Sequence, residues 1–454
     1  MLTADHVPTL PRSFWRSKWM WIVIGVPVAL LSLVGWLWYS SAHELQSQLD
    51  ELRAAGLPTS ASEVNDFYKV PAGVHDRTLE WVAAINAVEA ANLSQIGMAL
   101  PIIGNNEKPI PPPGQPWADL EASRTLVRSL EKELQLIRKA ASVPGQVRIP
   151  VDFSAGVGTL LPEIQNVRQV SRLLKLSAHV SAHDGDFART LQDIQDMFAL
   201  SQVMSGEPCL ISELVRFAIY TMAMTTLEEL LPACGWTDAE LAALQESLGT
   251  APFEAEMQKA MASETALLLT EFDKAPLGPF RQANKLGLVN FMEETRGALS
   301  QPWPEPLRLQ AKSVTQLQSM TNASAFNRYR YMMLSLSAPS TEQAGQATCR
   351  AVARQRCLHL GIAAYRYQLQ HGQLPVKLAD LDAKLFAGQK ISSDLTIDPF
   401  DGQPLRTRTD ATGLLIYSVS QNLVDNGGDV ISSDAKPTPG DLGFQVHLPV
   451  PATE

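Results

Sequence analysis

Two histidines four residues apart are the first residues of this chain whose spacing could do chemistry. They lie in His179-Val-Ser-Ala-His183, which sets both imidazoles on one helix face, as zinc coordination requires. Asp184 and Asp186 follow directly, so the segment is a candidate metal site. Val180 stands where a zinc protease carries its general-base Glu, which excludes hydrolysis of that type. A polar helix end, with aspartates capping the next helix, uses the same residues and is the commoner arrangement. Ser129-Leu-Glu-Lys132 has the Ser-x-x-Lys spacing of penicillin-binding enzymes. It falls in a charged amphipathic helix, and no Lys-Thr-Gly occurs anywhere, so we read it as coincidence. The chain carries no Gly-x-Ser-x-Gly, phosphate loop or dinucleotide fingerprint. Glu229 and Glu264 are single carboxylates on helices and read as solvated.

The elements that must position these residues are mostly helices. Glu163–Ala182 and Phe187–Ser205 are joined by His183-Asp-Gly-Asp186 into a helix–turn–helix hairpin. It resembles a tetratricopeptide unit in size, but no repeat at a 34-residue period follows it. Apolar periodicity extends the helical region from 118 to about 345, through Leu120–Ala141, Leu210–Leu231, Thr237–Leu248 and Glu254–Phe272. Thr237 with Glu240 forms a capping box. Nearer the N-terminus, His43–Gly56 carries a stripe of Leu45, Leu49, Leu52 and Ala55 and stops at Gly56-Leu57-Pro58. A short helix starts at Ser60 or Ser62, and Thr78–Ala91 turns Leu79, Val82, Ala83 and Ile85 inward. Residues 108–117 form a proline-rich, extended connector. Past about 375 the pattern changes to period two, with strands at Leu405–Thr409, Leu414–Ser420 and Phe444–Leu448.

One segment has no need of a protein core. Trp19–Tyr39 contains no charged residue, and 21 helical residues span about 31 Å, a bilayer's hydrocarbon thickness. Trp19 and Trp21 flank one end, and Trp36, Trp38 and Tyr39 the other, where amphipathic rings favour the interfaces. Arg12, Arg16 and Lys18 precede the run, and Ser40–Glu44 holds no Lys or Arg. The positive-inside rule therefore keeps the N-terminus cytoplasmic and sends the bulk outward. The run exceeds a signal peptide's apolar core of roughly 7–15 residues, so an uncleaved single-pass anchor is expected. The chain divides into a tail (1–18), an anchor (19–40), a helical domain (41–345) and an α+β domain (346–454).

Composition narrows the function. A 45% hydrophobic content supports real cores, and a net charge of −10 without a basic stripe argues against nucleic acid. Four cysteines are too few for a disulfide scaffold of this size. Cys349 and Cys357 stand about 12 Å apart along a helix, too far to bridge. Cys209 with Cys234 stays open.

The last hundred residues carry a resemblance. Ala364-Tyr-Arg-Tyr-Gln-Leu-Gln-His-Gly-Gln-Leu-Pro375 precedes Leu378-Ala-Asp-Leu381, Asp398-Pro-Phe-Asp-Gly-Gln-Pro-Leu405, Ile416-Tyr-Ser-Val-Ser420 and Asp425-Asn-Gly-Gly-Asp429. This order resembles the globular head of the major pseudopilins of type II secretion, over roughly a quarter of the chain. Leu52-Arg-Ala-Ala-Gly-Leu-Pro58 is similar to the opening of a group of membrane-anchored proteins abundant in planctomycete-type bacteria. The second resemblance implies no activity. The first implies a calcium loop, in which Asp425, Asn426 and Asp429 would supply oxygens and Asp398 or Asp434 another. Ser420-Gln-Asn replaces the Gly-Ala-Asp of that family, which removes one acidic ligand. The pseudopilin processing site, Gly before Phe or Met with a Glu five residues on, is missing from the anchor. The anchor is therefore expected to be a tether and not a polymerising helix.

The expected protein is mainly α, with one transmembrane helix, an all-helical outer domain and a small pseudopilin-like α+β domain with an antiparallel sheet. It would sit in a bacterial inner membrane with its bulk in the periplasm. Its expected role is a non-enzymatic scaffold for another envelope protein. The alternative is an anchored enzyme or small-ligand binder with a metal at His179/His183.

Overall fold

A computed structural model describes residues 18–104, 109–248, 252–386, 393–430 and 440–447. Residues 1–17 of the expected tail, Lys108, Asp434 and Leu448 lie outside the described residues, as do the side chains of Trp19 and Trp21.

The first helix, α1, is Lys18–Ala54, 37 residues with Pro27 inside. It joins the expected anchor and the expected helix at 43–56 into one rod. Its two halves have different surroundings. Leu31 is 72% exposed, and none of the helix's apolar window is covered by protein. From Ser41 onward, Ser41, Leu45, Leu49 and Leu52 are buried at helical spacing. Ala55, expected on this stripe, lies past the helix end and is exposed. There Gly56 adopts φ +76 and Leu57 N–H bonds back to Leu52 O at 3.0 Å, closing the helix. This helix is long and apolar enough to cross a membrane.

Three short helices follow, α2 (Ala61–Phe67), α3 (Thr78–Ala90) and α4 (Leu93–Ile96). Ser60 caps α2 by accepting a hydrogen bond from Glu63 N–H. The buried face of α3 is Trp81, Ala84, Ile85 and Val88, and Leu79 is 83% exposed. Ile85 lies on the face expected of it, but Leu79, Val82 and Ala83 are not buried, because Trp81 buries more apolar area than Leu79 and sets the rotation. Leu120–Ala141 is two helices, α5 (Leu120–Ser129) and α6 (Glu131–Ala141). Leu130 breaks them with φ −106 and ψ 20, so that Leu126 and Val127 and then Leu134 and Ile137 all reach the core.

The hairpin forms as α7 (Glu163–His183) and α8 (Phe187–Ser201). Gly185 turns at φ +75, and Asp186 caps α8 by accepting from Arg189 N–H at 3.1 Å. Then come α9 (Leu210–Leu230), α10 (Asp238–Leu248), α11 (Phe253–Lys274), α12 (Arg281–Ala298), α13 (Glu305–Asn322), α14 (Ala325–Arg330) and α15 (Met332–His371). The Thr237/Glu240 box is formed, with Thr237 N–H on Glu240 Oε2 at 2.8 Å and Glu240 N–H on Thr237 Oγ1 at 3.3 Å. By length and composition α9 also resembles a membrane span, but 67% of its window is buried, as suits a core helix. Cys209 and Cys234 flank its two ends, about 30 Å apart, and all four cysteines are free.

The 40-residue α15 runs through position 345/346, where the sequence placed a domain boundary. One hydrophobic core runs from Leu45 to Val446, so the helices and the sheet share it. The small antiparallel sheet, near the C-terminus, has the order β1 (Arg406–Asp410), β2 (Gly413–Ser418), β3 (Leu442–His447). Leu442, Phe444 and Val446 are the buried positions of β3, which packs on α15. Gly361 permits the approach, since a Cβ there would come 2.2 Å from Phe444 Cδ1. Gly372, at φ +72, ends α15.

Candidate functional site

His179 and His183 share a helix face but face different partners. His179 Nε2 lies 3.0 Å from Glu229 Oε2, and Lys175 Nζ reaches the same oxygen at 3.0 Å. His183 Nδ1 bonds the carbonyl of His179 at 2.9 Å, and its ring lies 5.0 Å from that of Trp117. Asp184 pairs with Arg124 and Asp186 caps α8, so neither carboxylate turns toward the imidazoles. Burial pulls the His179 pKa below the usual range, with the Glu229 hydrogen bond opposing it. Burial also acts on Glu229, but its bonds to His179 and Lys175 outweigh it and hold the carboxyl low. Glu264 accepts Leu210 N–H at 3.4 Å, and burial raises its pKa. Glu229 keeps its expected exposure, with 42% of its side chain accessible, while it accepts from His179 and Lys175; Glu264, expected in solvent, is instead a largely covered structural acceptor.

The expected calcium ligands occupy two places. Asp398 is fully buried under the sheet. Its Oδ1 accepts from Phe400 N–H at 2.9 Å and Ser418 Oγ–H at 2.8 Å, and its Oδ2 from Val419 N–H at 2.9 Å and Arg406 Nη1 at 3.0 Å. Asp425 Oδ1, in the loop, accepts from Tyr417 O–H at 3.1 Å and Gly427 N–H at 2.9 Å. Asn426 Oδ1 accepts from Asn422 Nδ2 at 2.8 Å. The Asp429 carbonyl accepts from Asp441 N–H at 3.2 Å. Two residues not singled out in the sequence close this loop. Asp441 takes Gly428 N–H at 2.7 Å and Asn426 N–H at 3.3 Å. Arg408 Nη1 donates to the carbonyls of Gly427 at 2.6 Å and Gly428 at 3.1 Å, the oxygen type calcium would use. Among the described residues no group of three or more His, Cys, Asp or Glu is placed to hold a metal.

A cavity lies elsewhere, between α7, α9 and α15. It measures about 640 Å³, within the range of small-molecule sites. Each helix contributes a polar pair one turn apart, namely Arg172 and Lys175 on α7, Thr221 and Thr225 on α9, and Arg350 and Arg354 on α15. Leu214, Phe217 and Met222 give it an apolar wall, and among the described residues no carboxylate lines it. Glu229 answers Lys175 from outside the lining. Arg172 and Arg350 make no ion pair among the described residues, and burial pulls the Arg350 pKa down. Unpaired guanidinium groups held away from bulk water are costly unless an anion joins them. The signal in the sequence is Arg172-x-x-Lys175 and Arg350-x-x-x-Arg354, two pairs 178 residues apart (350 against 172) that only the fold brings together.

Comparison of the chain with protein-family models, curated proteins and solved structures found no match.

Proposed function

We propose that this is a tethered, non-enzymatic binding protein of the bacterial envelope. In this reading α1 spans the inner membrane with its N-terminus cytoplasmic, and the body holds a small anionic ligand in the cavity between α7, α9 and α15. The observation that carries it is the four-cation lining, in which Arg172 and Arg350 make no ion pair among the described residues. Arginine's planar fork suits carboxylate or phosphate, and the wall at Phe217 and Met222 suits an apolar portion of the same ligand. This replaces the histidine pair as the basis for a small-ligand reading. The pseudopilin-like head remains part of the proposal, supported by the Gly372 stop, the Asp398-Pro399 turn, the β1–β2 hairpin and the Asp/Gly loop. Calorimetry on the full chain in micelles tests it, with phenyl phosphate against neutral benzyl alcohol. Phenyl phosphate should bind and benzyl alcohol should not. Arg350→Ala should weaken binding roughly tenfold or more, the loss of one charge-assisted hydrogen bond of about 1.5–3 kcal/mol. Equal binding by wild type and an Arg172→Ala/Arg350→Ala variant would refute the site.

A further inference from the structure

A second feature belongs to neither the cavity nor the head. Phe326 and Tyr329 on α14, and Met332 and Leu336 on the first turns of α15, are 49%, 52%, 41% and 70% exposed. Phe280 packs edge-on against Phe326 and Tyr329, at 5.2 and 5.7 Å, making one continuous aromatic surface. Large exposed apolar surfaces of this kind mark contacts with a partner or a membrane.

Charge and position identify the occupant. Residues 320–336 contain no Asp or Glu, in a chain of net charge −10, and they include Arg328 and Arg330. Neither guanidinium makes an ion pair among the described residues. The turn holding Phe280, Gly278–Phe280, packs on α1. Ser41, the first buried position of α1 among the described side chains, lines a cavity of about 240 Å³ with Arg330, Tyr331 and Leu334. Ser41 lies only about 3 Å along the helix from Tyr39, the end of the uncharged run. The aromatic–basic surface is therefore level with the membrane interface that α1 would cross.

We infer that this surface seats the body on the phospholipid leaflet around α1. Phe326, Tyr329, Met332 and Leu336 enter the headgroup–acyl boundary, and Arg328 and Arg330 meet lipid phosphates. The inference rests on α1 being a membrane span, and the experiment separates the two.

The natural cysteines are all buried, so single introduced cysteines can carry a fluorophore. Full-length protein with Leu31→Cys, Tyr329→Cys or Thr409→Cys is labelled and reconstituted into phosphatidylglycerol/phosphatidylcholine vesicles holding spin-labelled lipids, with nitroxides both at shallow depth and near the bilayer centre. Labels at 31 and 329 should be quenched at least threefold more than the label at 409, on β1. Quenching at 31 with 329 behaving like 409 would overturn the inference and leave the anchor standing. No quenching at 31 would remove the anchor, and the inference with it. Arg328→Glu/Arg330→Glu should at least halve quenching at 329, and an unchanged value would remove the arginines from the contact. Self-quenching at 329 that rises with protein-to-lipid ratio would assign the surface to a second copy of the chain instead.

Discussion

Alanine placed at two helical glycines should act with opposite signs. At Gly361 a Cβ would sit 2.2 and 2.7 Å from Cδ1 and Cε1 of Phe444. Phe444 is 1% exposed and stands opposite Ile416 in the sheet. Overpacking of this kind costs about 1–3 kcal/mol. Alanine's better helix propensity returns about 1 kcal/mol. Gly361→Ala should therefore destabilise by up to about 2 kcal/mol net. At Gly297, in α12, a Cβ meets nothing within 4 Å. Gly297→Ala should stabilise by about 0.5–1 kcal/mol. Urea unfolding of the full chain in micelles, followed by circular dichroism, gives both values. Phe444→Leu in the Gly361→Ala background should recover part of the loss, a coupling of about 1 kcal/mol in a double-mutant cycle. A stabilising Gly361→Ala would show that α15 and β3 do not touch there, and the shared core of helices and sheet would fail with it.

Other perturbations probe the interior. Asp398→Ala strips partners from two buried backbone N–H groups and from Arg406, and should cost about 3–5 kcal/mol in the same assay. Burial pushes the Glu207 pKa up to about 7, so the folded state holds a proton that the unfolded chain releases above its ordinary carboxyl pKa. The stability this group contributes is complete below about pH 4.5 and is lost as pH rises through about 7, with a slope near 1.4 kcal/mol per pH unit. Glu207→Gln should flatten the dependence of Tm on pH between 5 and 7.5, and an unaltered slope would exonerate this carboxyl. Chelation of divalent ions should leave Tm unchanged, because Asp441 and Arg408 already hold the 425–429 loop. A calcium-dependent rise of several degrees would mean that Arg408 yields its carbonyls to the ion.

Much of this architecture is legible locally. Ser60, Thr237 and Gly372 mark helix ends because each satisfies terminal backbone groups within a few residues of itself. The hairpin of β1 and β2 is readable at Asp410–Gly413 for the same reason. Failures arise where distant contacts decide. The face of α3 follows Trp81, whose pocket is built by other helices, and Leu130 breaks a continuous amphipathic pattern to serve a core on two sides. The sequence sets a domain boundary at 345/346, ahead of the change of pattern near 375, but α15 runs as one helix from Met332 to His371 across that boundary. The cation cavity is split between residues 172–175 and 350–354, so no window of sequence shows it. Charge assignments went astray similarly. Asp398 reads as a loop ligand beside its Pro-Phe-Asp-Gly turn, and only the fold shows its four hydrogen bonds beneath β2.

The continuity of α15 also limits how this chain can vary. Leu334 near its start borders the cavity shared with Ser41, Arg350 and Arg354 face the cation cavity, and Gly361 receives Phe444. One inserted residue would rotate everything beyond it by about 100° and advance it about 1.5 Å. No single-residue insertion or deletion within that stretch can keep all three alignments. Changes of length are confined to the turns, and the register of α15 is as strict a requirement as the identity of any side chain upon it.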